Sequence, residues 1–282
     1  MRAVRTGSHR DARVTFGVAV LALLAAGALL GPAVSGPGAA DLGDIVARRF
    51  AGPLSRTGDG VLHLLGTDNF GRDLAARLLA GARVSLAVGV LAALAASGIG
   101  VLLGAVAGHA GRTTDRVIVV LTDAALAIPR VPLLLLLVAL FQPGLLITIV
   151  AIGLTGWMPV TRLVRAEVRA VRQRLFVEAA HALGAPSSLV VVRHVLPHAA
   201  APALVATALG VGNAIMLEAG LSFLGLGVQP PTPSWGNMIA AGRDALVVAP
   251  WVALAPALLV ALVVLACSLL ADGLEARLAG ER

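Results

Sequence analysis

Residues 66–73, GTDNFGRD, have the spacing of a phosphate-binding loop, G-x-x-x-x-G-K-[ST]. In such a loop a lysine reaches the phosphates and a hydroxyl holds magnesium, but this chain has Arg72 and Asp73 at those positions. A carboxylate there repels phosphate, and the sequence contains no lysine at all, so a standard loop of this kind is excluded. We interpret the stretch as a turn that leads into an amphipathic helix at a membrane interface, with Asp73 and Arg77 paired at i,i+4.

Histidine is the next residue type that could carry chemistry, and the chain has six: His9, His63, His109, His181, His194 and His198. His194 and His198 stand at i,i+4, a spacing that can ligate a metal on one helix face. Pro197 interrupts that helix, and no cysteine or carboxylate completes the ligand set, so we predict no metal site. All six histidines lie outside the apolar runs described below, which excludes an intramembrane hydrolase that pairs serine with histidine. We therefore identify no catalytic residue.

Three ionisable residues do lie within apolar runs, and such residues are functional candidates by default. Asp123 and Arg130 are seven residues apart on one face of a predicted helix, about 10 Å along its axis. That distance is long for a direct pair, so two interpretations stay open: a functional pair, or two side chains that each snorkel or face a neighbouring helix. Glu218 is the third candidate, near the end of another apolar run.

The apolar runs themselves indicate a polytopic membrane protein. Of the 282 residues 58% are hydrophobic and only 13% are charged, against about 25% charged in an ordinary soluble domain. Six runs approach the 20 or so residues that a bilayer requires, and we predict an all-α fold with six transmembrane helices at Val14–Val34, Val84–Ala107, Val117–Phe141, Leu145–Val160, Ala199–Phe223 and Trp251–Ala271. The fourth can extend through Leu163 and Val164. The first could instead be a signal peptide, although its apolar core is longer than usual. The single cysteine, Cys267, excludes an intrachain disulfide.

The arginines predict the orientation, because positive charge accumulates on the cytoplasmic side of a membrane. With the N-terminus inside, fourteen of the 22 basic residues fall on the inner side and seven on the outer side. This favours a cytoplasmic N-terminus at 1–13, an extracytoplasmic segment at 35–83, a cytoplasmic loop at 161–198, an outer loop at 224–250 and a cytoplasmic tail at 272–282. The net charge of +7 is then explained by the membrane, and no nucleic-acid partner is implied.

The inner loop begins as a basic helix that continues the fourth span. One face carries Arg162, Arg165, Arg169 and Arg172. Another face carries Val164, Val168, Val171 and Leu175. We expect the arginines to face water or lipid headgroups.

A second, shorter helix is predicted at about Phe176–Leu183, with Glu178 in its first turn, where the helix dipole favours negative charge. Ala179 and Ala180 are small and let another surface approach. Gly184 and Pro186 then form a stop signal, with Gly184 at the C′ position and a positive φ. Ser187 or Ser188 can cap a third helix, which Pro197 breaks before the fifth span. This pattern alone fits a plain helical hairpin as well as it fits a docking helix.

Three stretches resemble the permeases of ABC importers. Glu178, Ala179, Ala180, Gly184, Leu196 and Pro197 resemble the EAA loop of that family, and the ending RHVLP at Arg193–Pro197 resembles its peptide and nickel branch. Residues Gly66–Leu86 resemble the branch signature before the second span, which includes Gly66, Thr67, Asp68, Gly71, Arg72 and Asp73. Glu218–Ile239 resemble the signature after the fifth span. The resemblance runs in order over about residues 10–280 and is to the C-type permease of dipeptide and oligopeptide importers. Two residues depart from the pattern: His198 replaces asparagine, with little expected effect, and Arg130 replaces an uncharged residue after Pro129.

The resemblance implies a type I ABC-importer permease fold with a five-helix core at 84–271. It implies that Glu178 and its neighbours form a coupling helix that docks on an ATPase. In such a permease Asp123, Arg130 and Glu218, which are candidates because they are ionisable residues within apolar runs, would be pore or gate residues. Glu218 is expected to contact a partner subunit or the outer gate.

The implied partners are a second homologous permease, two cytoplasmic ATPases that use ATP and magnesium, an extracytoplasmic solute-binding protein and membrane lipid. The chain itself would bind no cofactor and would be a transport subunit of the bacterial cell membrane rather than an enzyme. A nickel or other small-solute permease is the alternative. A secondary transporter working alone is a weaker one, since Asp123 is its only candidate midplane carboxylate.

Overall fold

The computed structural model describes residues 5–34, 48–57 and 60–280. Its helices are α1 (Arg5–Val34), α2 (Leu74–His109), α3 (Arg112–Ala127), α4 (Arg130–Leu140), α5 (Leu145–Leu154), α6 (Trp157–Arg172), α7 (Leu175–Ala182), α8 (Ser187–Val190), α9 (Leu196–Phe223), α10 (Trp235–Gly242) and α11 (Trp251–Gly280). A π-helical turn, Val191–Val195, joins α8 to α9, and a 3-10 turn, Arg243–Ala245, follows α10. Strands β1 (Ser55–Arg56) and β2 (Leu62–His63) form an antiparallel hairpin in which Ser55 faces His63. The side chains of His9, His181 and His194 lie outside the described part.

Within the described residues, five helical segments are long and apolar enough to cross a membrane, and a bent pair provides up to a sixth span. The five are Arg13–Gly31, Leu74–His109, Leu145–Arg172, Leu196–Phe223 and Trp251–Leu278. His109 and His198 lie within the ends of these segments, so the prediction that every histidine lies outside the spans is wrong for these two.

The predicted third span, Val117–Phe141, is not one continuous helix. It consists of α3 and α4, which meet at an angle of 84°. Ile128 adopts an extended conformation (φ −83°, ψ 124°) between them, as expected for a residue whose α conformation is disfavoured by the following proline. Asp123 and Arg130 therefore lie on different helices and share no helix face.

The second span begins ten residues earlier than predicted, at Leu74 rather than Val84. The separate interfacial helix expected before it is the first part of α2 itself. Asp73 caps α2, because its carboxylate accepts a hydrogen bond from the Ala76 amide at 2.8 Å. The predicted Asp73–Arg77 pair is wrong: the Arg77 guanidinium lies 3.2 Å from the carboxylate of Asp68.

The middle of the bundle is held by close contact between α2 and α6. Gly100, Gly104 and Gly108 of α2 face Val160, Val164 and Val168 of α6, and we call these six residues the glycine seam. A Cβ added to the three glycines would lie only 2.5, 2.8 and 2.6 Å from side-chain atoms of the facing valines. Small residues four apart allow helix backbones to approach in this way, and shape complementarity replaces the hydrophobic driving force that lipid removes.

The basic face of α6 binds protein rather than only water or headgroups. Arg165 forms a two-pronged pair with Asp115 of α3, and Arg162 donates to Asp123 at 2.5 Å. Arg172 donates to the carbonyls of Gly108 and His109 at 2.9 and 3.0 Å, at the carboxyl end of α2. These arginines therefore fasten α6 to α2 and α3. Leu175, which the pattern places on the buried valine face, is instead 82% exposed, because a new helix begins at that residue.

Candidate functional site

Helix α7 is a short helix that is fixed to the bundle along one side. Val177 is 2% exposed and packs in a cluster with Val171, Val190 and Val195. The ring of Phe176 stacks on that of His198 at the start of α9, with 5.4 Å between the centroids and an interplanar angle of 27°. The His198 contact was not expected from the sequence, and it joins α7 directly to α9.

The opposite side of α7 faces away from the protein. Glu178 and Ala179 are exposed, and Leu175 and Leu183 at the two ends are 82% and 88% exposed. Among the side chains that the structure describes, which do not include His181, none forms an ion pair with the Glu178 carboxylate. Ala180 is half-buried against the valine cluster. One face of α7 thus presents small and apolar side chains around one carboxylate, a surface that another protein can contact.

Gly184 ends α7 with the backbone geometry that the sequence predicts. Its φ is +83°, and the Ala185 amide donates to the Ala180 carbonyl at 3.1 Å, which is the 6→1 bond of a Schellman motif. The positive φ at the C′ position is confirmed. A Cβ added here would have no atom within 4 Å, so only the backbone conformation requires glycine.

Pro197 does not break the helix that leads into the fifth span, contrary to the prediction. The chain stays helical from Ser187 to Phe223, passing through the π-helical turn. The Leu196 amide donates to Val191, five residues earlier. Proline lacks an amide donor and its ring clashes with the carbonyl four residues before it, and the wider π turn accommodates both effects. Leu196 and Pro197 therefore form the first turn of α9.

A cavity of about 450 Å³ lies between α2, the α5–α6 junction and α9. Arg130 at the start of α4 lines it. The Arg130 guanidinium donates to the Ile152 carbonyl at 3.2 Å and to the Thr155 hydroxyl at 3.4 Å, where α5 ends. Asp123 lies elsewhere and pairs with Arg162. Of the two interpretations of Asp123 and Arg130, the structure supports separate contacts with neighbouring helices.

Glu218 is fully buried, with 0% of its surface exposed. Its carboxylate accepts hydrogen bonds from Ser222 at 2.6 Å and from Ser85 of α2 at 3.1 Å. Ser85 in turn accepts the Trp235 amide of α10 at 3.1 Å, and Ser222 accepts the Val228 amide at 3.0 Å. We call Glu218, Ser85 and Ser222 the serine cluster. Because Glu218 is enclosed within this chain, the predicted contact with a second subunit is not available to it in this conformation.

The Gly66–Asp73 stretch is a tight turn, as predicted. The Asp68 carboxylate accepts the amides of Phe70 and Arg72 at 2.8 and 3.0 Å. These are backbone donors of the kind that a phosphate loop offers to its ligand, and here they are already occupied. Gly66 and Gly71 have positive φ values of 81° and 72°.

The Gly66–Asp73 turn is also tied to the rest of the chain. The Thr67 hydroxyl accepts the Ala51 amide at 2.8 Å. The Asp73 carboxylate lies 2.7 Å from His63 of β2, and the other ring nitrogen of His63 lies 3.1 Å from the Thr57 hydroxyl. The Thr67–Ala51 and Asp73–His63 contacts join residues sixteen and ten positions apart, and nothing in the local sequence indicates them.

Known proteins resemble this chain over most of its length. Residues 100–280 match the family described as binding-protein-dependent transport system inner membrane component. A dipeptide transport system permease protein of Alkalihalophilus pseudofirmus is 40% identical over 76% of this chain and 70% of its own length. A probable peptide ABC transporter permease protein of Sinorhizobium fredii is 46% identical over 74% and 72%. A glutathione transport system permease protein of Pectobacterium atrosepticum is 38% identical over 76% and 71%.

The fold is also found among solved structures. A structure of the MetNI methionine ABC transporter in inward-facing conformations matches 73% of this chain and 96% of its own, with a TM-score of 0.59 and 18% sequence identity. The five span-length apolar helices with their additional bent pair, the shared permease fold and the family match agree with one another. The chain is a multi-pass membrane protein and belongs to the family of binding-protein-dependent transport system inner membrane components.

Proposed function

We propose that this chain is one permease subunit of an ATP-binding-cassette importer of peptides, and that α7 is the helix on which a separate ATPase docks. The observation that carries this proposal is the exposed face of α7, with Glu178, Ala179 and the free leucines at its ends. A loop that contacts nothing gains no stability from exposing a large apolar side chain at each end of one helix, whereas a docking surface does.

The remaining subunits follow from the family. A second homologous permease completes the pore, two cytoplasmic ATPases bind ATP and magnesium, and an extracytoplasmic binding protein delivers the solute. This chain binds no cofactor and hydrolyses nothing.

Both termini lie in the cytoplasm of a bacterial cell, an orientation supported by the arginine distribution. Labelling with an impermeant thiol reagent tests this: Gly60→Cys should react from outside the cell, and Ser187→Cys only after permeabilisation.

Transmission of the ATPase movement runs through contacts on the buried side of α7. Val177 in the valine cluster and Phe176 on His198 attach α7 to α9. Helix α9 lines the cavity of about 450 Å³ at residues such as Leu209 and Asn213. A displacement of α7 toward or away from the membrane is thereby passed to a wall of that cavity.

Peptides are the proposed cargo because the relatives are named for dipeptide, peptide and glutathione transport, and glutathione is itself a peptide. The binding protein selects among peptides before the permease receives them.

Gly184→Val tests the docking assignment. The left-handed conformation costs an ordinary residue roughly 1–2 kcal/mol. That is too little to unfold helices held by internal hydrogen bonds, but it is enough to displace an eight-residue helix with marginal stability of its own. We expect normal insertion, poor co-purification of the ATPase subunits and reduced peptide uptake, with a milder effect for Gly184→Ala.

Gly60→Val is the matched control, because Gly60 also has a positive φ, +78°, and no atom within 4 Å of an added Cβ. It carries the same backbone strain far from α7 and should leave ATPase co-purification unchanged. Normal co-purification and normal uptake in Gly184→Val would show that α7 is only a connecting hairpin.

A further inference from the structure

Arg130 occupies an unusual place for a charged side chain. The cavity that it lines is bounded by Ala92–Ser97 of α2 and by Ala206–Ala214 of α9, which are positions about halfway along both helices. Among the described residues that line this cavity, Arg130 is the only charged one; most of the others are alanine, glycine or branched aliphatic residues. Charge at such a depth is costly unless it serves a pathway or a ligand.

The guanidinium of Arg130 has hydrogen-bonding capacity left over. It carries five N–H donors in a planar fork, and two of them reach neutral acceptors, the Ile152 carbonyl and the Thr155 hydroxyl. Within the described residues no carboxylate forms an ion pair with it. Three other arginines of the helix bundle, Arg162, Arg165 and Arg77, each have an aspartate partner. Arg172 donates to neutral carbonyls as Arg130 does, but it lies outside the cavity, at the end of α2. Arg130 is thus a half-buried guanidinium, and the described residues supply no carboxylate or other planar anion, the partner that its geometry favours.

The size and surroundings of the cavity suit a small peptide. A volume of about 450 Å³ falls within the range of roughly 300–1,000 Å³ typical of sites for small molecules. Asn213 adds an amide to the lining. A neighbouring cavity of about 410 Å³ shares Leu163, Ala206 and Leu209 with the first and brings Glu167 and Glu275 to its wall. Groups of both signs therefore line two adjacent cavities.

We propose that Arg130 is a solute-binding residue, and that its guanidinium binds the C-terminal carboxylate of the peptide as the peptide passes through this cavity. The identity of the solute rests on the proposed function, whereas the binding of a carboxylate by Arg130 does not. The competing explanation is that Arg130 only caps the carboxyl end of α5 through Ile152, in which case a neutral donor serves equally well.

The test uses the complete importer in native membranes, with one reporter cysteine in this chain. Leu209→Cys places a thiol in the lining at a residue that is 46% exposed, and Cys267→Ala removes the native thiol. Two methanethiosulfonate reagents modify this thiol, an anionic one with a sulfonatoethyl group and a cationic one with a trimethylammonium-ethyl group. Their rates of modification are compared. Arg130→Gln should lower the anionic-to-cationic rate ratio by about tenfold or more, and Arg130→Lys should largely preserve it. Arg162→Gln, which removes a paired arginine outside the cavity, is the control and should leave the ratio unchanged.

Protection by peptides identifies the ligand group. Ala-Ala should slow modification of the cysteine at least about fivefold in the Arg130 protein, while Ala-Ala amide should protect poorly. Glu-Ala amide, whose only carboxylate is on the side chain, distinguishes binding of the terminal carboxylate from binding of any carboxylate. Protection that is equal for acid and amide, or that persists in Arg130→Gln, would overturn the proposal.

Uptake of labelled Ala-Ala by the same cells separates this inference from the proposed function. If the wild-type importer takes up no peptide and yet Ala-Ala protects the cysteine in an Arg130-dependent manner, the peptide-import assignment fails and the carboxylate site stands. If uptake is normal but the protection and the rate ratio do not depend on Arg130, the site fails and peptide import stands.

Discussion

Helix α2 is attached to its neighbours by two different means at two places along its length. In the glycine seam its side chains meet those of α6 through shape, glycine against valine, with Val164 and Val168 fully buried; the Arg172 bond to the Gly108 carbonyl is added only at one end. In the serine cluster it meets α9 through hydrogen bonds, with Ser85 on the Glu218 carboxylate. The seam requires that its glycines have no Cβ atom, whereas the cluster requires the serine hydroxyls and the Glu218 carboxylate. The two attachments should therefore fail under different substitutions and to different extents.

The physical basis of the difference lies in what each attachment loses when it is disturbed. An added side chain in the seam meets backbone as well as side-chain atoms, so two long helices must separate. A lost hydroxyl or carboxylate in the cluster leaves buried polar groups without partners, and that cost is confined to those groups.

The largest effect is expected for Gly104→Leu. A Cβ at this position would lie 2.7 Å from the Thr161 carbonyl and 2.8 Å from the Val164 side chain. Overpacking of this kind costs about 1–3 kcal/mol or more, and here backbone atoms block relaxation. We expect loss of most folded protein from the detergent-solubilised fraction, measured by fluorescence-detected size exclusion.

Gly98→Leu is the matched control for Gly104→Leu. It lies on the same helix, and an added Cβ has no atom within 4 Å. If the two variants are equally unstable, intrinsic helix effects rather than the seam determine the result.

A smaller effect is expected for Glu218→Leu. The hydroxyls of Ser85 and Ser222 lose their acceptor, and a buried polar group left without a partner costs about 1–3 kcal/mol. The melting temperature in detergent should fall, and the 224–250 loop should be cleaved faster by added protease because Trp235 and Val228 are bonded through these serines. Glu218→Gln keeps an acceptor, so its melting temperature and its rate of cleavage should lie between those of the wild type and of Glu218→Leu. A leucine variant as stable as wild type would show that the cluster does not fix the loop.

The smallest effect is expected for Asp123→Asn. Its pair with Arg162 is mostly exposed, with 52% and 58% of the two side chains accessible, and pairs of this kind contribute about 0–1 kcal/mol. The melting temperature should move by no more than the uncertainty of the measurement. If the melting temperature falls as far as it does in Glu218→Leu, the Asp123–Arg162 pair at the edge of α6, rather than the glycine seam, holds α6 in place.

Local signals in the sequence predicted local features well. The six apolar runs, the short helix α7 and the positive φ of Gly184 each depend on a few neighbouring residues, and the structure contains all of them, with the third run divided. The bend at Pro129 was visible as a proline, yet the apolar run continues through it and reads as one span. The helix break predicted at Pro197 is wrong for the opposite reason. A π turn can accommodate a proline within a helix, and the sequence does not show where such a turn forms.

The tertiary features could not be predicted in the same way. Gly100, Gly104 and Gly108 are recognisable as a small-residue repeat, but only the packing of α2 on α6 shows that valines fill it. Arg162 and Arg165 resemble a solvated basic face until Asp115 and Asp123 are brought beside them by the α3–α6 contact. The separation of Arg130 from Asp123 and its entry into a cavity follow from the bend between α3 and α4.

The uninterrupted length of α2 has a mechanical consequence. Thirty-six residues from Leu74 to His109 form a rod about 54 Å long, capped by Asp73 at one tip and gripped by Arg172 at the other. A rod of that length that pivots by about 5° at one tip sweeps the other through nearly 5 Å, close to the rise of one helical turn. A small rotation of α2 at its Arg172 end would thus produce a larger displacement at its other end, where the hairpin and the Gly66–Asp73 turn lie on the opposite side of the membrane.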